Sequence, residues 1–451
     1  MLSVEAQVAA VKLSDVVRDL VEAAHQAGVA VKQRALQAFV DETAARELGR
    51  TRGQPKSSHL DDRQSQWRCG RCGSQRSGDF SYSGSYRRAV AFADGVGELI
   101  IPRIRCRCGG HVKPEFGALL PKRKRHWYDL ELTATELHVE GMAYRGLKRH
   151  LARVGCEVGI GTLARTLTGF ADVDINASVA GDHAVALGAD AAFVGVGAGS
   201  RAHYYIHEIL PRDEPLIRDG KEVAWHRMGK VLACHHAAEE TLEGWEQCFQ
   251  QVVTKGFTAP AHPPFVVSDG NQGLRSAVDL WLPWSPHQRC IWHIAHRARE
   301  KAPEAHKDAF ERDALWLLKA PDLTEARARL RKLTRRWRRE APDALASVKA
   351  KFEQGTQHLR HRACELAPRA AGICERYNQE PKRRSRAMRG YHNEACMQAM
   401  TRLIALRHNC NSDRTDWLDH AARSVWSADV NHTTTQQHNG PHHGPYTTEG
   451  T

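Results

Sequence analysis

Apolar residues recur at helical spacing over residues 3–48, at Val4, Val8, Val11, Leu13, Val16, Val17 and Leu20, and no proline interrupts them. That pattern predicts an N-terminal helical segment, 1–48. Residues 49–66 (GRTRGQPKSSHLDDRQSQ) are polar and rich in chain breakers, which marks a linker. Short strand-like runs, AVAFA and GELIIPRIRC, occupy 67–120, and helical patterning returns over 121–175. From 183 to about 294 the pattern alternates. HAVALGADAAFVGVG, RAHYYIHEIL and VAWHRMGKVLACHH read as three consecutive strands, and TLEGWEQCFQQVVTKGF reads as a helix. PFVVSDG is a short buried strand, NQGLRSAVDLWL a helix and SPHQRCIWH a last short strand. Residues 295–365 are helical and arginine-rich, helix resumes after Pro368, and the low-complexity tail 431–451 is expected to be disordered.

Three meandering strands, then strands alternating with helices, follow the plan of an RNase H-like α/β domain with helices flanking a mixed sheet. The expected boundaries are 183–430, with 295–365 as a helical insertion.

Charge changes the picture next. The 451 residues carry 65 Lys+Arg against 52 Asp+Glu, a net +13 with a pI near 9.3. A polyanion is therefore the first partner to consider, solubility being the plain alternative. Hydrophobic content of 41% and charged content of 26% exclude wholesale disorder. No run reaches the roughly 18–20 apolar residues of a membrane span. The first residues lack a signal-peptide plan, so the expectation is a cytoplasmic, nucleoid-associated protein.

Four of twelve cysteines cluster: Cys69 and Cys72 in WRCGRCGS, Cys106 and Cys108 in IRCRCGG. Four thiolates can enclose one structural Zn²⁺, so 67–120 is read as a zinc-ribbon-like unit. The second pair is CxC, and His111 is a possible substitute ligand. The alternative is a set of reduced thiols in a small β unit. In YRGLKRHLARVGCEVGIGTLARTLTGF, helices at about 143–154 and 160–170 flank a turn containing Gly155. The arrangement resembles a helix-turn-helix with Thr162 and Arg165 on the recognition helix, although any helical hairpin shares it.

The acids carry the chemistry. Asp190 interrupts the small, apolar run VALGADAAFVGV, where a carboxylate costs free energy unless it is paired or binds metal. Asp269 ends PFVVS and precedes Gly270. In an RNase H-like sheet the first and fourth strands are neighbours, so these two acids would approach across 79 residues of chain. Such carboxylates can hold two Mg²⁺ (or Mn²⁺) ions for phosphodiester chemistry, with Glu375 as the best third acid. The alternative for Asp269 is a turn residue capping the next helix. Glu375 competes with Glu365 and Glu380, and its alternative is a solvated helix carboxylate.

VVSDGNQGLRSAVDLWLPWSPHQRCIWHIAHR resembles the core of Mutator-type transposases, which include many bacterial insertion-sequence enzymes. The matching residues are Asp269, Gly270, Pro286, Gln288, Arg289, Cys290, His293 and Arg297. Downstream, ERYNQEPKRRSRAMRG is similar to the family's helix bearing its third acid, which implies Glu375 with Asn378, Arg383 and Arg384 as supports. After Asp190 the chain has Ala191 and Ala192, where the family usually has a polar or aromatic residue. The resemblance implies a DDE triad of Asp190, Asp269 and Glu375, and an active-site or DNA-positioning role for Cys290, His293 and Arg297. The bland alternative for the Cys290–His293 pair is a packed thiol beside a hydrogen-bonded histidine.

Basic residues concentrate at 327–339, including Arg335 and Arg336, and at Lys382, Arg383, Arg384, Arg386 and Arg389. Both runs suit a DNA backbone. Trp281, Trp284 and Trp292 suit either base stacking or core packing. The expectation is a transposase acting on its element's terminal repeats and on target DNA, as a homo-oligomer. The competing readings are a non-catalytic DNA-binding protein and a metal-dependent nuclease without strand transfer.

Overall fold

The computed structural model describes residues 4–55, 63–122, 124–175, 186–218, 221–255, 265–360, 369–370 and 372–422. The expected tail, 431–451, lies outside the described residues, as do Glu365 and parts of the expected linker. The chain divides into two compact units, one containing the described residues up to Thr166, the other Leu167–Ala421.

In the first unit, α1 (Val4–Leu48) is one continuous helix. Its residues Leu36, Val40, Ala44 and Leu48 recur every four positions and are buried in one core with Phe80, Phe92, Leu99 and Ile101. Those partners come from β1 (Phe80–Phe92) and β2 (Gly95–Cys106), which pair antiparallel, with β3 (His111–Val112) on the far side of β2. Lys32 ties the helix down between Asp94 and Asp129, donating to Asp129 Oδ2 at 2.7 Å. Three helices follow: α2 (Tyr128–Val139), α3 (Tyr144–Arg153) and α4 (Ile160–Thr168). They close on Leu130, Leu147, Leu151, Cys156 and Leu163. Gly155 ends α3 with φ +78°, a conformation that favours glycine, while Cys156 N donates to Leu151 O at 2.9 Å.

The second unit is built on β4 (Ala186–Val196), β5 (Gly199–Arg218) and β6 (Lys221–Ala237), an antiparallel meander. Helix α5 (Leu242–Thr254) buries Trp245, Cys248, Phe249 and Val252, the i, i+3, i+4, i+7 face of an amphipathic helix. Strand β7 (Phe265–Ser268) then pairs parallel with β4. After α6 (Gln272–Trp281), β8 (His287–Arg289) pairs parallel with β7. The sheet order is β6-β5-β4-β7-β8, so β4 is central. The expected last strand is shorter than SPHQRCIWH: Cys290 caps α7 (Ile291–Arg299), and Trp292 and His293 are already helical.

The insertion continues through α8 (Lys307–Leu318), α9 (Leu323–Trp337) and α10 (Pro342–Gly355), which share a core around Phe310, Leu317, Trp337 and Phe352 with the buried face of α7. Two last helices return to the sheet, α11 (Gly372–Met388) and α12 (Glu394–Asp413). Asn409 pins α12 to β6, accepting from Val231 N at 2.7 Å and donating to Val231 O at 2.9 Å. Among the described residues, no helix is long and apolar enough to cross a membrane.

Candidate active site and a four-cysteine cluster

The register β4–β7 fixes the first two acids. Gly188 pairs with Val267, and Asp190 and Asp269 each lie two residues further along these neighbouring parallel strands. Asp190 is held from three sides. Ala191 N donates to Oδ1 at 2.9 Å, while Asn378 Nδ2 at 2.7 Å and Tyr205 OH at 3.3 Å both donate to Oδ2. Tyr205 faces Asp190 because the two are cross-strand partners on β5 and β4. Burial, and then the negative charge of Asp269 with a smaller push from Glu375, raise the Asp190 carboxyl to about 7.

Asp269 sits on the turn after β7. Its Oδ1 accepts from Asn271 N at 2.9 Å, and Oδ2 accepts from Arg297 Nη2 at 2.9 Å. The turn bond bears out part of the plain alternative for this residue, but Asn271, not Asp269, caps α6. Gly270 has φ +81°, and a Cβ there would collide with the guanidinium of Arg289, so the Asp-Gly pair needs its glycine twice over.

Glu375 stands in the first turn of α11, whose docking positions it. Tyr205 OH donates to Cys374 O at 2.7 Å, and His207 Nε2 lies 3.1 Å from Cys374 Sγ. A Cβ at Gly188 would sit 2.7 Å from that sulfur, so glycine lets α11 approach β4. At the other end, Tyr391 N donates to Gly195 O and Gly197 N to Tyr391 O, both at 2.8 Å. Glu375 Oε1 is 3.6 Å from His293 Nε2.

The donor atoms of Cys290, His293 and Glu375 all lie within 4.8 Å of one another, whereas Asp190, Asp269 and Glu375 form no such group among the described residues. The carboxylates are neighbours in the electrostatic sense, each engaged by other side chains of the site: Asp190 by Asn378 and Tyr205, Asp269 by Arg297, and Glu375 by His293. A further acid, Glu240, accepts from Trp245 Nε1 at 3.1 Å. Burial first, and the charge of Asp269 in part, raise its carboxyl.

The Gln-Arg-Cys-x-x-His string divides its labour. Gln288 is fully buried, donating to Gly355 O at 3.0 Å and accepting from His358 N at 3.0 Å, which clamps β8 to the end of α10. Arg289 packs under the Gly270 turn. Cys290 is the buried N-cap of α7, His293 faces Glu375, and Arg297 holds Asp269. Sequence reading missed Tyr205, Cys374 and the half-buried Ser268–His287 pair at 2.7 Å. A Tyr-Tyr pair in a strand facing the acid-bearing strand was the available signal for Tyr205.

One expected DNA contact is corrected. Arg384 is only 4% exposed, its guanidinium turned toward Glu380 with Nε at 3.7 Å, so it is not presented to a phosphate. Arg383 is exposed but pairs with Glu380 at 3.0 Å, and Lys382 is half-buried. Arg335 is exposed. Arg336 reaches Asp313 at 2.8 Å and lies over the Trp337 ring. In the first unit Arg165 donates to Thr162 Oγ1 at 3.2 Å on α4. Trp284 and Trp292 are exposed, and the ammonium of Lys319 sits 4.5 Å from the Trp292 ring centre.

The four sulfurs of Cys69, Cys72, Cys106 and Cys108 also lie within 4.8 Å of one another. Cys69–Cys108 is 3.6 Å and Cys72–Cys106 is 3.7 Å. A tetrahedron with Zn–S near 2.3 Å has edges of about 3.8 Å, so these spacings fit the ion. The CxC pair works because Gly109, at φ +80°, and Gly110 turn the chain back. A Cβ at Gly110 would lie 2.8 Å from Cys69 Sγ. His111 is exposed on β3 and outside this group, so the substitute-ligand reading is set aside. Backbone N–H groups of Cys72 and Arg71 pull the Cys69 thiol down to about 6, whereas burial pushes Cys106 up to about 12.

Comparison with known proteins meets this geometry. The family model described as "Transposase, Mutator family" matches residues 222–414, a span that holds Asp269, Cys290, His293, Arg297 and Glu375 but not Asp190. The chain is 24% identical over 339 residues, covering 72% of itself and 78% of the relative, to the transposase for insertion sequence element ISRM5 of Rhizobium meliloti (strain 1021). It is 27% identical over 195 residues, covering 42% of itself and 48% of the relative, to the transposase for insertion sequence element IS406 of Burkholderia multivorans (strain ATCC 17616 / 249). Its matched region and these relatives make the chain similar to the Mutator-type insertion-sequence transposases.

Proposed function

We propose that the second unit is an RNase H-like catalytic domain that cuts and rejoins DNA through Asp190, Asp269 and Glu375. The observation that carries this reading is the neighbouring placement of Asp190 and Asp269 on β4 and β7, with Glu375 brought in by the docking of Cys374 on Tyr205. The strand order β6-β5-β4-β7-β8 supports the fold assignment.

The donor set suits Mg²⁺ or Mn²⁺, which take hard carboxylate oxygens. Asp190 is destabilised in its charged form by burial and by two like charges, the imbalance that a divalent cation corrects. Asn378 Oδ1, on the side chain that holds Asp190, is buried and without a hydrogen bond among the described residues. When bound between these carboxylates, two such ions supply Lewis acidity to the attacking and leaving oxygens of a phosphodiester.

The chain's own part is orientation. Asn378, Tyr205 and Ala191 N fix which oxygens Asp190 presents. Arg297 holds Asp269 in its turn and leaves half its own side chain exposed beside the acid. Gly270 and Arg289 keep that turn in one conformation. Catalysis of this kind rests on positioning and charge, with little proton handling by the protein.

In the first unit, the four cysteines would hold a structural Zn²⁺. The pair α3–α4 would act as a helix-turn-helix with Arg165 toward the DNA, and Arg335 on α9 would contact DNA backbone. Joining two element ends would require at least two protomers. The test is to incubate the protein and its Asp269→Ala variant with Mg²⁺ and DNA bearing the element's ends. Cleavage by the wild type alone is expected. Equal cleavage by both would overturn the assignment, and cleavage by neither would leave the non-catalytic DNA-binding reading.

A further inference from the structure

Cys290 and His293 alone make a poor metal site, since two ligands on one helical turn leave half a coordination shell unfilled. Folding adds a third. Cys290 caps α7, His293 follows three residues later on the same face, and Glu375 arrives from α11. One donor atom from each lies within 4.8 Å of the other two. Zinc–nitrogen and zinc–oxygen bonds of about 2.0–2.2 Å imply a ligand-to-ligand edge of about 3.3–3.6 Å in a tetrahedron. The His293 Nε2 to Glu375 Oε1 distance is 3.6 Å.

The surroundings favour occupancy. His293 Nδ1 is buried and has no hydrogen-bond partner among the described residues, so no hydrogen bond there competes for the ring. The Glu375 side chain is 50% exposed and that of His293 30%, which leaves an entry path and an open fourth position. A thiolate, an imidazole and one carboxylate select Zn²⁺ and disfavour Mg²⁺, which takes oxygen ligands.

We propose that Cys290, His293 and Glu375 form a binding site for a thiophilic divalent cation, Zn²⁺ foremost, and that its occupation withdraws Glu375 from the acid triad and inhibits strand cleavage. The inhibition rests on the reading of Glu375 as a catalytic acid; the binding does not. The site would make the enzyme sensitive to the ratio of free Zn²⁺ to Mg²⁺.

The full chain, equilibrated with Zn²⁺ and freed of unbound metal, should hold one more zinc ion per chain than either Cys290→Ala or His293→Gln, counted by elemental analysis. His293→Gln guards against misfolding, because its side chain is partly exposed while Cys290 is buried. Equal zinc content in the wild type and in a His293→Gln variant of unchanged melting temperature would overturn the site. In a second arm Zn²⁺ is titrated into Mg²⁺-driven cleavage, each protein being compared with its own zinc-free rate. Half-inhibition should need at least about tenfold more Zn²⁺ in His293→Gln. An equal zinc requirement would overturn the inhibition. If zinc content falls as expected while Glu375→Gln cleaves at the wild-type rate, the catalytic reading of Glu375 and the inhibition fall, and the zinc site stands.

Discussion

Asn378 donates from Nδ2 to Asp190 Oδ2 at 2.7 Å, joining α11 to the central strand across 188 residues of chain. With Tyr205 it decides which way the carboxylate points, and in a site that works by positioning such a contact weighs on rate more than on affinity. Asn378→Ala is expected to slow Mg²⁺-dependent strand cleavage by about 10–100-fold, the range seen when the partner that orients a metal ligand is removed. DNA binding, followed by gel shift, should change less than about threefold, well below that range. A variant that cleaves normally would deny Asn378 the positioning role.

Gly270 bears two constraints at once, a φ of +81° and the guanidinium of Arg289 packed against its α-carbon. Gly270→Ala should therefore destabilise the second unit by about 1–3 kcal/mol. At about 2–4 °C per kcal/mol for a unit of this size, calorimetry should show its transition several degrees lower. An unchanged transition would mean that the turn relaxes freely.

The distinction between what sequence shows and what it hides follows the range of the interactions. Asp269, Gly270 and the Gln-Arg-Cys-x-x-His string were legible because a turn and one helical turn are local, and short motifs report them. The three meander strands were legible from alternation with small and β-branched residues. The pairing of β4 with β7, by contrast, is tertiary, so Asp190 had only its awkward apolar setting to mark it. Tyr205 had only the Tyr-Tyr pair of RAHYYIHEIL to mark it, for the same reason: its partnership with Asp190 is set by strand pairing. Arg384 looked like its basic neighbours, and only the docking of α11 buries it. The link between His293 and Glu375 could not be read either, because 82 residues, including the helical insertion, separate them in the chain.

Acid should destabilise the second unit well above the carboxylate range. Burial holds His203 at about 3 and His207, His287 and His358 at about 4. An unfolded histidine titrates near 6.5, so below that pH the unfolded chain binds more protons than the folded one. The stability present above about 6.5 is lost as pH falls toward about 4, at on the order of 2 kcal/mol per histidine by pH 5. Asp190 works in the opposite direction. Its folded value of about 7 exceeds the unfolded one, so its contribution grows as pH falls from about 7. One carboxyl offsets about 3 kcal/mol at pH 5 against on the order of 8 from four histidines, so the net effect is loss. Denaturant titrations without Mg²⁺ at pH 7.5, 6 and 5 should show it, with a steeper fall in Asp190→Asn. A flat profile would place these histidines in water.

Loss of the ion held by the four cysteines should act on the first unit alone. Cys69 and Cys106 share a core with Trp67, Phe80 and the C-terminal half of α1, so losing the ion would release two buried thiols within a small core. Cys69→Ser is expected to lower the melting transition of the first unit by several degrees and to leave that of Leu167–Ala421 in place. Parallel loss of both transitions, or of neither, would count against a structural zinc among these cysteines.

Arg335 and Arg384 separate exposed from buried charge. Arg335 stands in solvent on α9, while Arg384 is enclosed on α11 beside Glu380. Each phosphate contact contributes about 0.9 to the slope of log affinity against log salt for duplex DNA. Arg335→Ala should therefore weaken binding at low salt and reduce that slope by close to one contact's share, with little effect on stability. Arg384→Ala should leave the slope unchanged and lower the melting temperature, because it empties a buried site. Fluorescence anisotropy from 50 to 200 mM salt, beside thermal melts, distinguishes the two. A slope change in Arg384→Ala at unaltered stability would mean that α11 opens to present this arginine when DNA binds.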